Sequence, residues 1–283
     1  MTGSLQAMVS PGASDGETLQ PFSVRLHAYA QQQLQTAQKQ LARHGAARHE
    51  GIHQARKCIR RAKSALAIGR KVFGKHGLSL NAELGRLCRG LSPLRDAQAL
   101  LEDLHRLRNG ADEATNALLT AAESAASLRR DQLLQKALAK DPQLKHRRAH
   151  LQLLAEKMQR LEWERVDREA LSAAIHRSEC RLEKTGMRLN QAPDADEAWH
   201  EYRRRLRRLR QQASLLAELG IDIGLPEKHI KEQTDSLGEA QDHVMLIRHC
   251  GSRSPFGPGL RKPLRDCARQ RLQTARAHWI LQH

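Results

Sequence analysis

The sequence predicts an all-α fold of two antiparallel four-helix bundles related by a pseudo-twofold axis. Apolar residues recur at helical spacing almost throughout from Leu19, and no useful length of sequence alternates at period two. A basic amphipathic segment near residue 53 recurs near residue 200, and a second motif recurs after each copy in the same order. We therefore predict a disordered tail over residues 1–17 and two bundles over residues 18–165 and 166–283.

The first half is predicted to hold about four helices. Apolar stripes and helix-breaking residues place them at about 19–45, 53–74, 79–107 and 118–141. Ser92-Pro93 is typical of a helix N-terminus, so the third segment can be two pieces. Asp141-Pro142 breaks the fourth, and a further apolar stripe follows it. The second half repeats the plan, with helices at about 171–189, 199–220, 226–249 and 264–279.

The repeated basic segment has two faces, and both faces recur at an offset of 147 residues. One face is an apolar seam, which includes Ile59 in the first copy and Leu206 in the second. The other carries His53, Arg56, Lys57, Arg60, Arg61 and Lys63, matched in order by His200, Arg203, Arg204, Arg207, Arg208 and Arg210. Packing alone would preserve the seam and leave the cations free to drift. The matched cations therefore indicate a shared anion-binding role, in which phosphates follow the 5.4 Å repeat of the helix.

Composition favours a polyanionic partner. The chain has 48 Lys and Arg against 31 Asp and Glu, a formal net charge of +17, which suits nucleic acid, a phosphate polymer or an anionic membrane. Aromatic residues make up only 3%, so few side chains can stack on unpaired bases. No apolar run is long enough to span a membrane, and residues 1–17 lack an apolar core, so we predict no signal peptide. The five cysteines form no C-x-x-C pair, so we expect a reducing cytoplasm.

A second motif follows each basic segment. Leu94-Arg95-Asp96-Ala97 lies downstream of His53, and Ala240-Gln241-Asp242-His243 lies downstream of His200 at nearly the same separation. The paired recurrence resembles the CHAD domain over about residues 18–283. In the second copy Gln241 replaces the arginine of the motif, and Gln98 stands where family members often have another acid.

The resemblance to CHAD domains implies both a fold and a ligand. It implies two four-helix bundles with a basic surface or pore at their junction that binds inorganic polyphosphate, and association with polyphosphate granules in some members. It also implies that the twelve matched histidines and cations contact the ligand. We therefore expect a cytoplasmic, non-enzymatic polyphosphate-binding protein without a cofactor or a membrane partner, whose oligomeric state the sequence leaves open.

Two other functions stay open at this point. Asp96 and Asp242 are interpreted as structural residues that orient arginines, but a metal-dependent polyphosphatase would use the same two carboxylates. A nucleic-acid-binding protein is the other alternative, because charge alone does not distinguish phosphodiesters from phosphoanhydrides. His53 and His200 are either phosphate donors or structural residues. No metal site is predicted, because no acidic residue completes a recognised zinc motif with the paired histidines.

Overall fold

All regular secondary structure in the described part of the chain is helical, which confirms the predicted all-α class. The computed structural model describes residues 20–109, 111–222, 224, 226–252 and 254–282, so the predicted tail over residues 1–17 lies outside the described residues. Within those ranges there are ten α-helices and no strand. None of these helices is both long enough and apolar enough to cross a membrane.

The helices divide unequally between the two halves of the chain. The first half holds α1 Phe22–Leu41, α2 Arg48–Ile68, α3 Arg70–Gly90, α4 Ser92–Arg108, α5 Glu113–Lys140 and α6 Lys145–Gln159. The second half holds α7 Arg168–Gln191, α8 Asp196–Glu218, α9 Glu227–His249 and α10 Pro258–Gln282. The first half thus has six α-helices where the sequence predicted about four, because α3 and α6 are separate helices.

Local chemistry explains where these helices break. The basic helix α2 ends at Ile68, not near Gly74, and α3 begins at once after Gly69. Gly74 sits at φ 51 inside α3, a conformation that glycine adopts without strain, and the helix resumes beyond it. The Asp141 carboxylate accepts a hydrogen bond from the His146 backbone N–H at 2.9 Å, so it satisfies a backbone donor in the first turn of α6. The predicted division at Ser92-Pro93 is observed as the start of α4.

The hydrophobic clusters join helices from both halves. Most residues of the largest cluster belong to α1, α2, α3 and α6. The same cluster also includes residues of α7 and α8, such as Ile175 and Leu216. A second cluster unites α4 and α5 with α9 and α10 through Leu104, Leu119 and Leu264. Two of the apolar cores thus contain residues from either side of position 165, and the predicted domain boundary there stays a prediction.

Four helices surround a space at the centre of the molecule. Helix α2 packs against α4 and α8, and α9 packs against the same two helices, which closes the ring. Where α2 meets α8, the Ser64 hydroxyl donates to Gln211 Oε1 at 3.4 Å. These two residues are 147 positions apart, which is also the offset of the basic motif. The fold therefore brings the two basic faces to one central space.

Candidate anion-binding site

The central cavity lies among α2, α4, α8 and α9 and has a volume of about 1080 Å³. Nine of the twelve predicted ligand-binding residues line it, namely His53, Arg56, Lys57, Arg60, Arg61, His200, Arg203, Arg207 and Arg210. Asp96 and Asp242 line it as well. Lys63, Arg204 and Arg208 are absent from its lining. Arg204 lies exposed, 3.8 Å from Glu201.

Helices α4 and α9 supply charged residues that were not among the twelve predicted ligand-binding residues. They add Arg95, Arg106 and Arg248, together with the acids Asp103, Asp235 and Glu239. The described lining then holds ten Lys and Arg against five Asp and Glu. The sequence does indicate the charged surface of α4, because Asp96, Asp103 and Arg106 follow one another at steps of seven and three and so share one side of a helix. The cavity is therefore strongly cationic, with a minority of acids.

Arg60 and Arg207 lie largely buried at the point where α2 and α8 face each other. Burial lowers the pKa of Arg60 to about 10, and repulsion from Arg207 and Arg56 contributes. The pKa of Arg207 falls to about 10 for the same reasons, burial first and then Arg203 and Arg56. None of the ion pairs between described residues includes either guanidinium. Two cations are thus held partly out of water without a carboxylate, an arrangement that a bound anion would stabilise.

Arg56 and Arg203 occupy equivalent positions and are oriented by equivalent neighbours. Arg56 donates through Nη1 to the Cys88 carbonyl oxygen and to Ser92 Oγ, the latter at 2.8 Å. Ser92 aligns with Gly238 in the second copy of the motif. A Cβ at Gly238 would lie 3.4 Å from Nη2 of Arg203, so the absent side chain lets this guanidinium lie against α9. The recurring motifs therefore hold one arginine of each basic face over the cavity.

The two histidines line the cavity with different partners. His200 donates from Nδ1 to Gln241 Oε1 at 2.9 Å, which links the basic helix to the second motif. In the first copy Arg95 stands at the position of Gln241. The pKa of His53 is lowered, chiefly by burial and then by the Arg95 cation, so its imidazole is neutral at neutral pH. The neutral His53 ring can offer its one N–H to an anion, whereas the Nδ1–H of His200 is already donated to Gln241.

The two motif aspartates also differ in their partners. Asp242 accepts from Arg106 Nη2 at 2.7 Å, so it pairs with an arginine as expected, but with one on α4 outside the basic faces. No ion pair between described residues includes Asp96. Burial raises the pKa of Asp96, and the nearby Arg56 and His249 oppose that shift. The geometry thus shows an orienting contact for Asp242 and electrostatic proximity for Asp96.

Asp103 is a buried carboxylate beside the Asp242–Arg106 pair. Its side chain is only 6% exposed, and its Oδ1 lies 3.3 Å from Arg106 Nη2. Its Oδ2 has no hydrogen-bond partner among the described residues. Burial, followed by repulsion from Asp242, raises the pKa of Asp103 to about 7, against the attraction of Arg106 and Arg271. The charge at this end of the cavity therefore changes near neutral pH.

Comparison with known proteins identifies the family. The sequence model of the CHAD domain matches residues 28–251. The fold is similar to that of PptA from Streptomyces chartreusis, with a TM-score of 0.66 and 18% identity, covering 92% of this chain and 98% of that one. It is also similar to the CHAD domain from the plant Ricinus communis, with a TM-score of 0.59 and 21% identity, covering 92% of this chain and 86% of that one. No curated protein matches the sequence. Because the family match spans well over half of the chain, the protein belongs to the CHAD domain family.

Proposed function

We propose that the protein binds inorganic polyphosphate in the central cavity and does not hydrolyse it. The observation that carries this proposal is the facing pair of Arg60 and Arg207, which is largely buried and has no ion pair with a described carboxylate. A chain of phosphates supplies closely spaced charge without bulky groups between the charges. Arg56 and Arg203, aimed at the same cavity, extend the cationic surface on both helices.

The lining favours phosphoanhydride chains over nucleic acid. No Phe, Tyr or Trp is among the described residues around the cavity. Unpaired bases in RNA or DNA gain much of their binding energy by stacking on such rings, whereas polyphosphate needs only charge and hydrogen-bond donors. The resemblance of the paired motifs to CHAD domains implies the same ligand. Nucleic acid is therefore the competitor against which this proposal is tested.

The carboxylates of the cavity support binding without turnover. A metal-dependent polyphosphatase would need ionised acids placed together to hold a divalent cation at the phosphate. Asp242 is instead paired with Arg106 at 2.7 Å, and the raised pKa of Asp103 disfavours its charged form. Within the described ranges, no three His, Cys, Asp or Glu side chains are grouped so as to hold a metal ion. We propose a cytoplasmic protein that associates with polyphosphate granules.

A competition experiment tests this function. Labelled polyphosphate of defined length is bound to the full chain, then displaced with unlabelled polyphosphate, duplex DNA or single-stranded RNA at equal phosphate concentration. We expect polyphosphate to displace the label at the lowest concentration. Equal or better displacement by DNA or RNA would favour the nucleic-acid alternative. In parallel, orthophosphate release with Mg²⁺ or Mn²⁺ above a buffer blank would favour the polyphosphatase.

A further inference from the structure

Two of the predicted ligand-binding cations that lie outside the central cavity have other basic neighbours. Arg208 on α8 lies near Arg177 and Arg181 on α7 and near Arg70 at the start of α3. Lys63 on α2 also lies near Arg208. We call these five residues the lateral cluster: Lys63, Arg70, Arg177, Arg181 and Arg208. Four helices contribute to it, and α7 packs against α2, α3 and α8.

The members of the lateral cluster are close enough to repel one another. The pKa of Arg208 is lowered by burial first, and then by Arg181, Arg205 and Arg70 among other cations. The pKa of Arg177 is lowered by burial, then by Arg70 and Arg181. Free arginines on a surface would spread into water, because the guanidinium is charged and the side chain is long. Here the packing of α7 against α8 and α3 holds them together.

The lateral cluster lacks carboxylate partners among the described residues. None of its five cations takes part in an ion pair there, whereas the neighbouring Arg205 pairs with Glu201 at 3.0 Å. No Asp or Glu acts on Arg177 or Arg208 strongly enough to raise its pKa. The Arg205–Glu201 pair shows that a carboxylate close to this region does form an ion pair with an arginine. Neighbouring cations without an ion pair to a described carboxylate favour the approach of an anion of high charge.

Gly85, within α3, leaves space that the side chain of Lys63 approaches closely. A Cβ at this position would lie 3.0 Å from Nζ of Lys63 and 3.4 Å from Nη1 of Arg89. The two cationic groups therefore share the space that a side chain would fill. Arg89 extends the positive surface from Lys63 along the exposed side of α3. This close approach is a geometric observation, independent of the electrostatics, that places Lys63 of the lateral cluster beside a further cation.

We propose that the lateral cluster is a second phosphate-binding site, distinct from the central cavity, that takes oligophosphate or a segment of a long polyphosphate chain. The proposal rests on the proposed function in its choice of ligand. Arg207 and Arg208 are adjacent on α8 and serve different sites, since consecutive residues of a helix point about 100° apart. A long chain that engages both sites gains affinity through a raised effective concentration, whereas a short chain binds each site separately.

Calorimetric titration with tripolyphosphate tests the second site through its stoichiometry. We expect two molecules bound per wild-type chain. A variant that neutralises the lateral cluster, Arg177→Gln/Arg181→Gln/Arg208→Gln, should bind one, and should also lose affinity for a polyphosphate of about one hundred units, because bridging between sites is removed. A matched triple variant of exposed arginines at other positions, Arg129→Gln/Arg160→Gln/Arg168→Gln, should still bind two.

The outcomes separate this inference from the proposed function. One tripolyphosphate per wild-type chain, abolished by Arg60→Gln/Arg207→Gln and unchanged by the lateral variant, would overturn the second site and leave the central one standing. Loss of one molecule in the lateral variant alone, with the cavity variant unchanged, would overturn the central site. Thermal unfolding shows that each variant is folded. We expect the lateral variant to be at least as stable as the wild type, since its like charges are removed.

Discussion

Neutralising Arg60 and Arg207 should weaken ligand binding and stabilise the free protein at the same time. Burial lowers the pKa of each guanidinium to about 10, with added repulsion from Arg207 and Arg56 at Arg60 and from Arg203 and Arg56 at Arg207. Each such shift corresponds to roughly 3 kcal/mol by which folding disfavours the cation. The two amounts are not additive, because the Arg60 shift already includes repulsion from Arg207. Both groups are protonated at neutral pH, so the penalty is fully present there and is relieved only as pH rises through about 10.

The double variant Arg60→Gln/Arg207→Gln removes that penalty. Loss of methylene packing offsets about 1 kcal/mol at each position, which leaves a net gain of about 1–3 kcal/mol. For a chain of this size the gain corresponds to a rise in Tm of about 2–6 °C. Two lost charge-assisted contacts to phosphate should weaken polyphosphate binding by about 3–6 kcal/mol, or about 10²- to 10⁴-fold.

Thermal unfolding without ligand and calorimetric titration with polyphosphate measure the two effects. The matched control is Arg129→Gln/Arg160→Gln, which removes the same formal charge from exposed positions and should change neither quantity much. A folded Arg60→Gln/Arg207→Gln variant that binds polyphosphate like the wild type would refute the argument. A clear drop in its Tm would show that these arginines have stabilising partners in the free protein.

Three further results are expected. The pKa of Asp103 is raised to about 7, so this residue becomes negative as pH rises through that value, and polyphosphate affinity measured by titration should fall between about pH 6 and pH 8. Asp103→Asn should flatten this pH profile. If the variant keeps the wild-type profile, another group causes the pH dependence. The logarithm of affinity should fall linearly with the logarithm of salt concentration, with a slope of about −0.7 per neutralised charge, and a flat line would argue against a charged site. Asp242→Asn should lower thermal stability, because Arg106 loses the charge of the closer of its two carboxylate neighbours. Both Asp242→Asn and Asp96→Asn should retain or tighten polyphosphate binding, and loss of binding in either would contradict their structural role.

The fold class and the position of the basic faces were predictable because both follow from local periodicity. Helical spacing of apolar residues predicts α2 and α8 directly, and the matched offset of Arg60 and Arg207 predicts a shared role. That the two residues face each other is a tertiary result. It depends on how α2 crosses α8, where Ser64 reaches Gln211. Periodicity identifies a face of a helix but not the element that this face meets.

The acidic end of the cavity could not be predicted in the same way. Asp103 and Arg106 follow Asp96 on one side of α4, a pattern that is equally typical of a solvated helix surface. Only the packing of α4 against α9 brings Asp103 next to Asp242 and buries it. The raised pKa of Asp103 is therefore a property of the assembled fold.

The structure does not bring all twelve predicted ligand-binding residues to one cavity. Arg207 lines the central cavity and Arg208 lies in the lateral cluster, although both recur with the same offset from Arg60 and Arg61. Aligning the two halves of the sequence does not separate Arg207 from Arg208, because the helices that surround each basic face differ between the halves. Helix α3 meets α7 near Arg208, whereas Arg61 lies near Tyr29 of α1.

Charge reversal within the cavity, compared with the same reversal elsewhere, tests the central claim most directly. The cavity variant is Arg56→Glu/Arg60→Glu/Arg203→Glu/Arg207→Glu, and the control is Arg129→Glu/Lys136→Glu/Arg160→Glu/Arg168→Glu, at four exposed positions that form no ion pair with a described residue. Both variants change the net charge by the same amount, so any effect of net charge alone is equal in the two. Polyphosphate affinity is measured for each after circular dichroism shows retained helix. We expect the cavity variant to lose at least about 10³-fold in affinity while the control loses far less. Equal losses in the two variants would contradict a specific site and leave net charge as the explanation.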